Sequence, residues 1–89
     1  HVMIARDTVI LGKTHVVSNL NIPMEKQGNL ESKTTIIEND VWLGIRSVVL
    51  PGLTISKGSI IGAGGVLTKN TVKFSVYGGV PAKFIKKRR

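Results

Sequence analysis

The sequence predicts an all-β chain folded as a parallel β-helix, a solenoid of stacked coils. Three regularities predict it. From Ile37 to Val72 the residues fall into six hexapeptides without interruption: IENDVW, LGIRSV, VLPGLT, ISKGSI, IGAGGV and LTKNTV. The first position is always a large aliphatic, at Ile37, Leu43, Val49, Ile55, Ile61 and Leu67. The fifth is small or modest, at Val41, Ser47, Leu53, Ser59, Gly65 and Thr71. The fourth is a turn former at Asp40, Gly52, Gly58, Gly64 and Asn70, with Arg46 as the exception. Ile, Leu and Val make up 28 of 89 residues, so six aliphatics at six fixed positions would arise by chance roughly once in a thousand trials.

Strand geometry gives the pattern its meaning. Alternate side chains of a short strand point to opposite faces. A Gly, Asn or Asp every sixth residue turns a corner through positive φ at low steric cost. Three short strands and three corners make one coil, and stacked coils align the first positions into an interior ladder. Third positions such as Lys57 then face outward.

The elements follow in order. Ile4 and Ile10 open two earlier hexads, with Thr8 and Thr14 in fifth positions. Ile10 and Ile37 are not separated by a whole number of hexads, so the register breaks between them. The segment SNLNIPMEKQGNLESK, residues 18–33, has the Asn, Pro, Gly, Ser and charged composition of a loop. Long loops in small domains are usually functional, and this one is expected to leave the helix wall after His15. Beyond Val72 the hexads fade into a tail, residues 73–89, in which Tyr77-Gly78-Gly79-Val80-Pro81 reads as a turn and Ala82 to Arg89 as a short basic strand or helical turn. One domain, residues 1–89, is expected. A solenoid this short has a thin core and two open ends, which predicts oligomerisation.

Composition excludes several functions. Cysteine is absent, which removes disulfides, thiolate metal sites and cysteine nucleophiles. Two histidines are too few for a three-histidine zinc site, so no metal is expected. No apolar run reaches membrane-spanning length and no signal peptide is evident, so a cytoplasmic protein is expected. The chain opens at His1 inside what reads as repeat sequence, which points to a processed, trimmed or fragmentary N-terminus. Charge is divided sharply. Residues 1–40 carry four basic and five acidic side chains, whereas residues 41–89 carry nine basic and none acidic. Five of the nine lie in the last seven residues: Lys83, Lys86, Lys87, Arg88 and Arg89. That favours a polyanionic partner. Aromatic residues for base stacking are sparse, so a phosphate-bearing small molecule fits at least as well as nucleic acid.

The stretch IIENDVWLGIRSVVLPGLTISKGSIIGAGGVLTKN, followed by YGGVPAKFIKKR, resembles the C-terminal half of hexapeptide-repeat acyltransferases. Within them, THVVSNLNIPMEKQG resembles the loop of the maltose and galactoside O-acetyltransferase branch. The resemblance implies a left-handed β-helix, a homotrimer, and acetyl-CoA bound in the groove between adjacent subunits. It implies that His15 is the catalytic base and that the Ile45 backbone N–H receives the developing oxyanion. It places Trp42 beside the reacting end, Ala63 along the pantetheine path, Thr68 and Lys69 near the cofactor's nucleotide end, and Lys83 and Lys86 at its phosphates. The sequence departs from the family at Thr14, where Asn is usual, and at Lys73-Phe74, where prolines are usual. The family's early N-terminal coils are expected to have no counterpart here.

The chemistry is consistent with those residue types. Acetyl transfer from a thioester to a hydroxyl needs a base, an oxyanion donor and a groove for a long cofactor. His15 is the internal histidine, and the ordinary pKa of histidine suits a base near neutral pH. Its orienting partner stays open among Glu25, Glu31 and a backbone carbonyl. Trp42 fits either the site or a subunit contact. GAGG at Gly62–Gly65 lies inside the hexad register, so it reads as corners rather than as a nucleotide loop. The leading expectation is an acetyl-CoA-dependent O-acetyltransferase acting on a sugar hydroxyl. The alternatives are a non-catalytic trimerisation module and a nucleic-acid-binding module.

Overall fold

The computed structural model describes residues 1–12, 18–28 and 33–89. Among these residues the chain is all-β apart from one 3-10 turn, Met24–Lys26. The strands are β1 (Val2–Ile4), β2 (Val9–Ile10), β3 (Ile36–Ile37), β4 (Val41–Leu43), β5 (Val48–Val49), β6 (Thr54–Ile55), β7 (Ile60–Ile61), β8 (Val66–Leu67), β9 (Ser75–Gly78) and β10 (Lys83–Lys87). Most are two or three residues long because a corner interrupts the chain once in every hexad.

The strands form three walls. The first runs β1-β4-β7-β9, all parallel, with β10 antiparallel on its edge. The second is β2-β5-β8 and the third β3-β6, both parallel. Trp42 pairs with Ile60, Val48 with Val66 and Ile36 with Thr54. Each pairing joins positions three hexads apart, one level of the coil, as the repeat predicts.

Side chains sort by hexad position. Leu43, Val49, Ile55 and Ile61, all first positions, are 0% exposed and Leu67 is 1% exposed. Fifth positions Ser47 and Ser59 are also fully buried. Ser59 resolves its burial through hydrogen bonds to the Ser56 carbonyl at 2.6 Å and the Thr71 hydroxyl at 2.7 Å. Fourth positions carry the corners at positive φ: Asp7, Asp40, Arg46, Gly52, Gly58 and Gly64. Arg46, the exception by residue type, obeys the backbone rule all the same. Asn70, expected at a corner, is not among the positive-φ residues; its Oδ1 instead accepts the Thr54 N–H at 2.7 Å.

Ile4 and Ile10 hold first positions but are 52% and 41% exposed. Their stacking partners Leu43 and Val49 cover them from one side only. Between β2 and β3 the chain makes its excursion. Val9 pairs with Val48, whereas three hexads would reach only as far as Gln27, so the stretch between them carries an insertion. The insertion is closed at its base, where the Lys33 N–H meets the Gly12 carbonyl at 3.4 Å.

The tail adds a strand the hexads do not announce. Ile61 pairs with Tyr77, whereas three hexads would reach Gly79, so the phase resumes early. Phe74 takes the left-handed corner at φ 54°, Ser75 is buried, and Tyr77 points inward at 7% exposure. The Tyr77 hydroxyl accepts the Val72 N–H at 2.9 Å, and its ring meets Phe84 edge-on at 5.9 Å. Strand β10 then folds back over β9. Arg88 fixes its end, with Nη1 2.9 Å from the Asp40 carboxylate and 3.3 Å from the Gly58 carbonyl.

Candidate active site

The corner between the first and second walls carries two of the predicted residues. Ile45 and Ala63 are third positions of successive levels, both exposed. The levels meet at backbone distance: Gly44 N–H donates to the Ile61 carbonyl, Gly62 N–H to the Tyr77 carbonyl and Gly64 N–H to the Ile45 carbonyl, each at 2.8 Å. The second positions at this corner are all small, reading Ala5, Gly44, Gly62, Gly78 up the stack, and at Gly44 the direction of the Cβ itself forbids a larger residue. A Cβ on Gly44 would lie 2.7 Å from the Ile61 oxygen. Gly44 was missed by motif reasoning, although small second positions recurring at every third hexad were there to be read. Among the described residues no acceptor faces the Ile45 N–H.

Trp42 stands on the first wall just before this corner, paired with Met3 below and Ile60 above, and is 46% exposed. It borders a surface concavity of 330 Å³ shared with Met3, Asp40, Ile60 and Arg88. Thr68, half-buried, and Lys69, exposed, lie at the next corner, after β8. Lys83 pairs with Gly78 and Lys86 with Val76 on β10, both exposed. The Ala82 N–H donates to the Val66 carbonyl at 2.8 Å, which carries the hairpin across the top of the corner and sets Lys83 at the end of the Ile45–Ala63 stack. One chain therefore brings Ile45, Ala63 and Lys83 along one edge, with Trp42 beside it. Thr68 and Lys69 belong to a different edge. His15 lies outside the described residues.

Charge separates as the sequence indicates. The described ion pairs, Arg46–Asp7 at 4.0 Å and Arg88–Asp40 at 2.9 Å, both use acids from the N-terminal, acid-bearing part of the chain. Lys69, Lys83 and Lys86 take part in neither. Among the described residues no group of three His, Asp or Glu side chains could hold a metal, and no helix is long and apolar enough to cross a membrane.

Comparison with known proteins gives the corner stack a context. Residues 34–69 match the bacterial transferase hexapeptide model, described as six repeats. The chain is 41% identical over 61 residues to a chloramphenicol acetyltransferase of Agrobacterium fabrum, covering 68% of this chain and 29% of that protein. It is 41% identical over 81 residues to a galactoside O-acetyltransferase of Lactococcus lactis, covering 91% of this chain and 38% of the relative. In fold it matches a galactoside acetyltransferase in complex with coenzyme A, with TM-score 0.87 and 33% identity over 99% of this chain and 42% of the other. The chain thus spans about a third of the length of the two curated relatives. It carries the bacterial transferase hexapeptide repeat and, by sequence and by fold, is similar to the hexapeptide-repeat acetyltransferases.

Proposed function

We propose that this chain is the cofactor-binding part of an acetyl-CoA-dependent O-acetyltransferase acting on a sugar hydroxyl. The reading includes a single domain over residues 1–89, a left-handed hand to the coils, a homotrimer with the site between subunits, and a cytoplasmic setting. The observation that carries it is the edge where Ile45, Ala63 and Lys83 follow one another. It offers a backbone donor with no acceptor among the described residues, a small exposed residue and an exposed cation, in that order along the stack. A long, flexible thioester ending in phosphates has the matching sequence of needs. The galactoside acetyltransferase of similar fold was solved with coenzyme A, which supports the assignment.

In this reading acetyl-CoA supplies an activated acetyl group. His15 takes the proton of the acceptor hydroxyl as its oxygen attacks the thioester carbonyl. The charge developing on that carbonyl oxygen is received by the Ile45 N–H, an electrostatic contribution aimed at where charge appears. The C–S bond breaks and His15 returns its proton to the departing thiolate. Ala63 leaves room for the pantetheine arm, Trp42 flanks the reacting end, and Thr68 and Lys69 meet the nucleotide end. Lys83 and Lys86 meet the phosphates, with no carboxylate side chain after Asp40 to compete. The chloramphenicol acetyltransferase relative favours a second acceptor class, a drug-like alcohol.

The test is thiol release from acetyl-CoA across a panel of sugars and chloramphenicol, for the wild type and His15→Ala. The variant should lose about 10²–10⁴ in turnover while coenzyme A affinity, measured by calorimetry, stays within about twofold because the cations lie elsewhere. An active wild type matched by His15→Ala refutes the assignment of the base. A trimer that binds coenzyme A and transfers nothing favours the non-catalytic module instead.

A further inference from the structure

We infer that Gln27 is a positioning residue that holds the excursion loop in its working shape, an inference resting on the acetyltransferase reading above. One side chain ties this loop. Gln27 Nε2 donates to the Asn19 carbonyl at 2.8 Å and to the Ile22 carbonyl at 2.6 Å. Its Oε1 accepts the Asn19 N–H at 3.1 Å. Asn19 Oδ1 in turn accepts the Asn21 N–H at 2.9 Å. The far side is a 3-10 turn, in which Lys26 N–H donates to the Pro23 carbonyl at 2.9 Å and Gln27 N–H to the Met24 carbonyl at 3.2 Å.

Within one chain, and among the described residues of this segment, apolar packing is slight. Leu20 is 95% exposed, Met24 60% and Ile22 42%, so their burial contributes little to order. Polar closure by Gln27 remains, and the amide is suited to it: two N–H donors and one carbonyl acceptor meet two carbonyls and one N–H. A compact loop of about 6–16 residues with close ends, packed by its own side chains, is a common functional element. Asn19 stands shortly after His15 in the sequence. Fixing Asn19 therefore fixes a described point of the chain four residues after the proposed base, and a misplacement of about 1 Å can cost about 10²-fold in rate.

The chemistry of the amide makes the role testable. Gln27→Glu is isosteric and keeps the acceptor for Asn19 N–H, but it turns the two donor contacts into oxygen facing oxygen. Gln27→Ala removes all three. Both variants should lower kcat about 10–100-fold, leave the KM for acetyl-CoA within about twofold, and leave the thermal midpoint within about 3 °C, since the loop lies outside the buried core. Trypsin cleavage after Lys26, whose backbone lies within the tied segment, should quicken at least about tenfold as the local opening becomes favourable. If cleavage is unchanged in both variants, Gln27 does not hold the loop and the inference falls. If cleavage quickens but kcat in both stays at the wild-type value, loop shape does not govern the reaction and the inference falls as well. A wild type without turnover refutes the acetyltransferase reading itself, and the inference with it; an active wild type with equally active variants refutes the inference alone.

Discussion

Replacing Gly44 with alanine should destabilise this protein far more than any other single methyl added to a glycine without positive φ. The new Cβ would fall 2.7 Å from the Ile61 oxygen, 2.8 Å from the Ala63 nitrogen and 2.9 Å from the Gly62 carbonyl carbon. Carbon contacts are comfortable at about 3.5–4.0 Å. All three neighbours are backbone atoms of the next level, so no rotamer change relieves the clash. The level must lift, and lifting it stretches the Gly44–Ile61 and Gly64–Ile45 hydrogen bonds, both 2.8 Å. Overpacking costs about 1–3 kcal/mol and a weakened hydrogen bond about 1 kcal/mol, for a total of roughly 2–4 kcal/mol. In a domain of this size that lowers the thermal midpoint by roughly 10–30 °C. Gly12→Ala is the control: among the described residues nothing lies within 4 Å of its Cβ position and its φ is not positive, so its cost should stay within about 0.5 kcal/mol. Circular dichroism melts at one protein concentration read the difference with the association term held fixed. Midpoints for Gly44→Ala and Gly12→Ala within about 3 °C of each other would refute the backbone-distance stacking.

Two further outcomes follow from position in the hexad and from the strap at the C-terminus. Gly65→Leu should cost at least about 1–3 kcal/mol, since its Cβ already meets Gly62 oxygen and Ile61 Cγ2 at 3.1 Å. Lys57→Leu, at an exposed third position, should stay within about 0.5 kcal/mol; equal melts for the pair would overturn the register. Arg88→Ala removes the contact to Asp40, but both side chains are substantially exposed, so the loss should be about 0–1 kcal/mol and should shrink in roughly 1 M salt. A loss that is large and indifferent to salt would show that β10 is held by that one residue.

What was legible in the sequence and what was not divide along a physical line. Interior positions were legible because burial acts on residue type: Leu43, Val49, Ile55 and Ile61 had to be large and apolar. Corners were legible where Gly or Asp relieves positive φ, and illegible at Arg46, where stacking imposes φ 56° on a residue that does not favour it. Strand β9 was illegible because the hexads before it are cut short; only the inward alternation of Ser75 and Tyr77 survives. On the candidate site edge, the roles proposed for Ile45 and Ala63 rest on backbone and smallness rather than on a distinctive side chain, so family resemblance pointed to them and periodicity did not. Gln27 stands in the loop motif that carries the resemblance, but its tie to Asn19 and Ile22 was illegible, because those partners are backbone groups that every residue possesses.

The closed base of the excursion has a consequence for how such a protein can change. Since Gly12 and Lys33 meet across the insertion, the levels above and below need not register what lies between them. Removing residues 13–33 would leave Ile10-Leu11-Gly12-Thr34-Thr35-Ile36, an unbroken hexad running straight into Ile37. Lengthening the insertion is equally mild, since each doubling of a flexible loop adds only about 0.6 kcal/mol of closure entropy. The length of the loop is therefore decoupled from the stacking of the levels that flank it. In the proposed reading, selection for a new acceptor could rewrite the loop around His15 and Gln27 while selection for a stable scaffold acts on other residues.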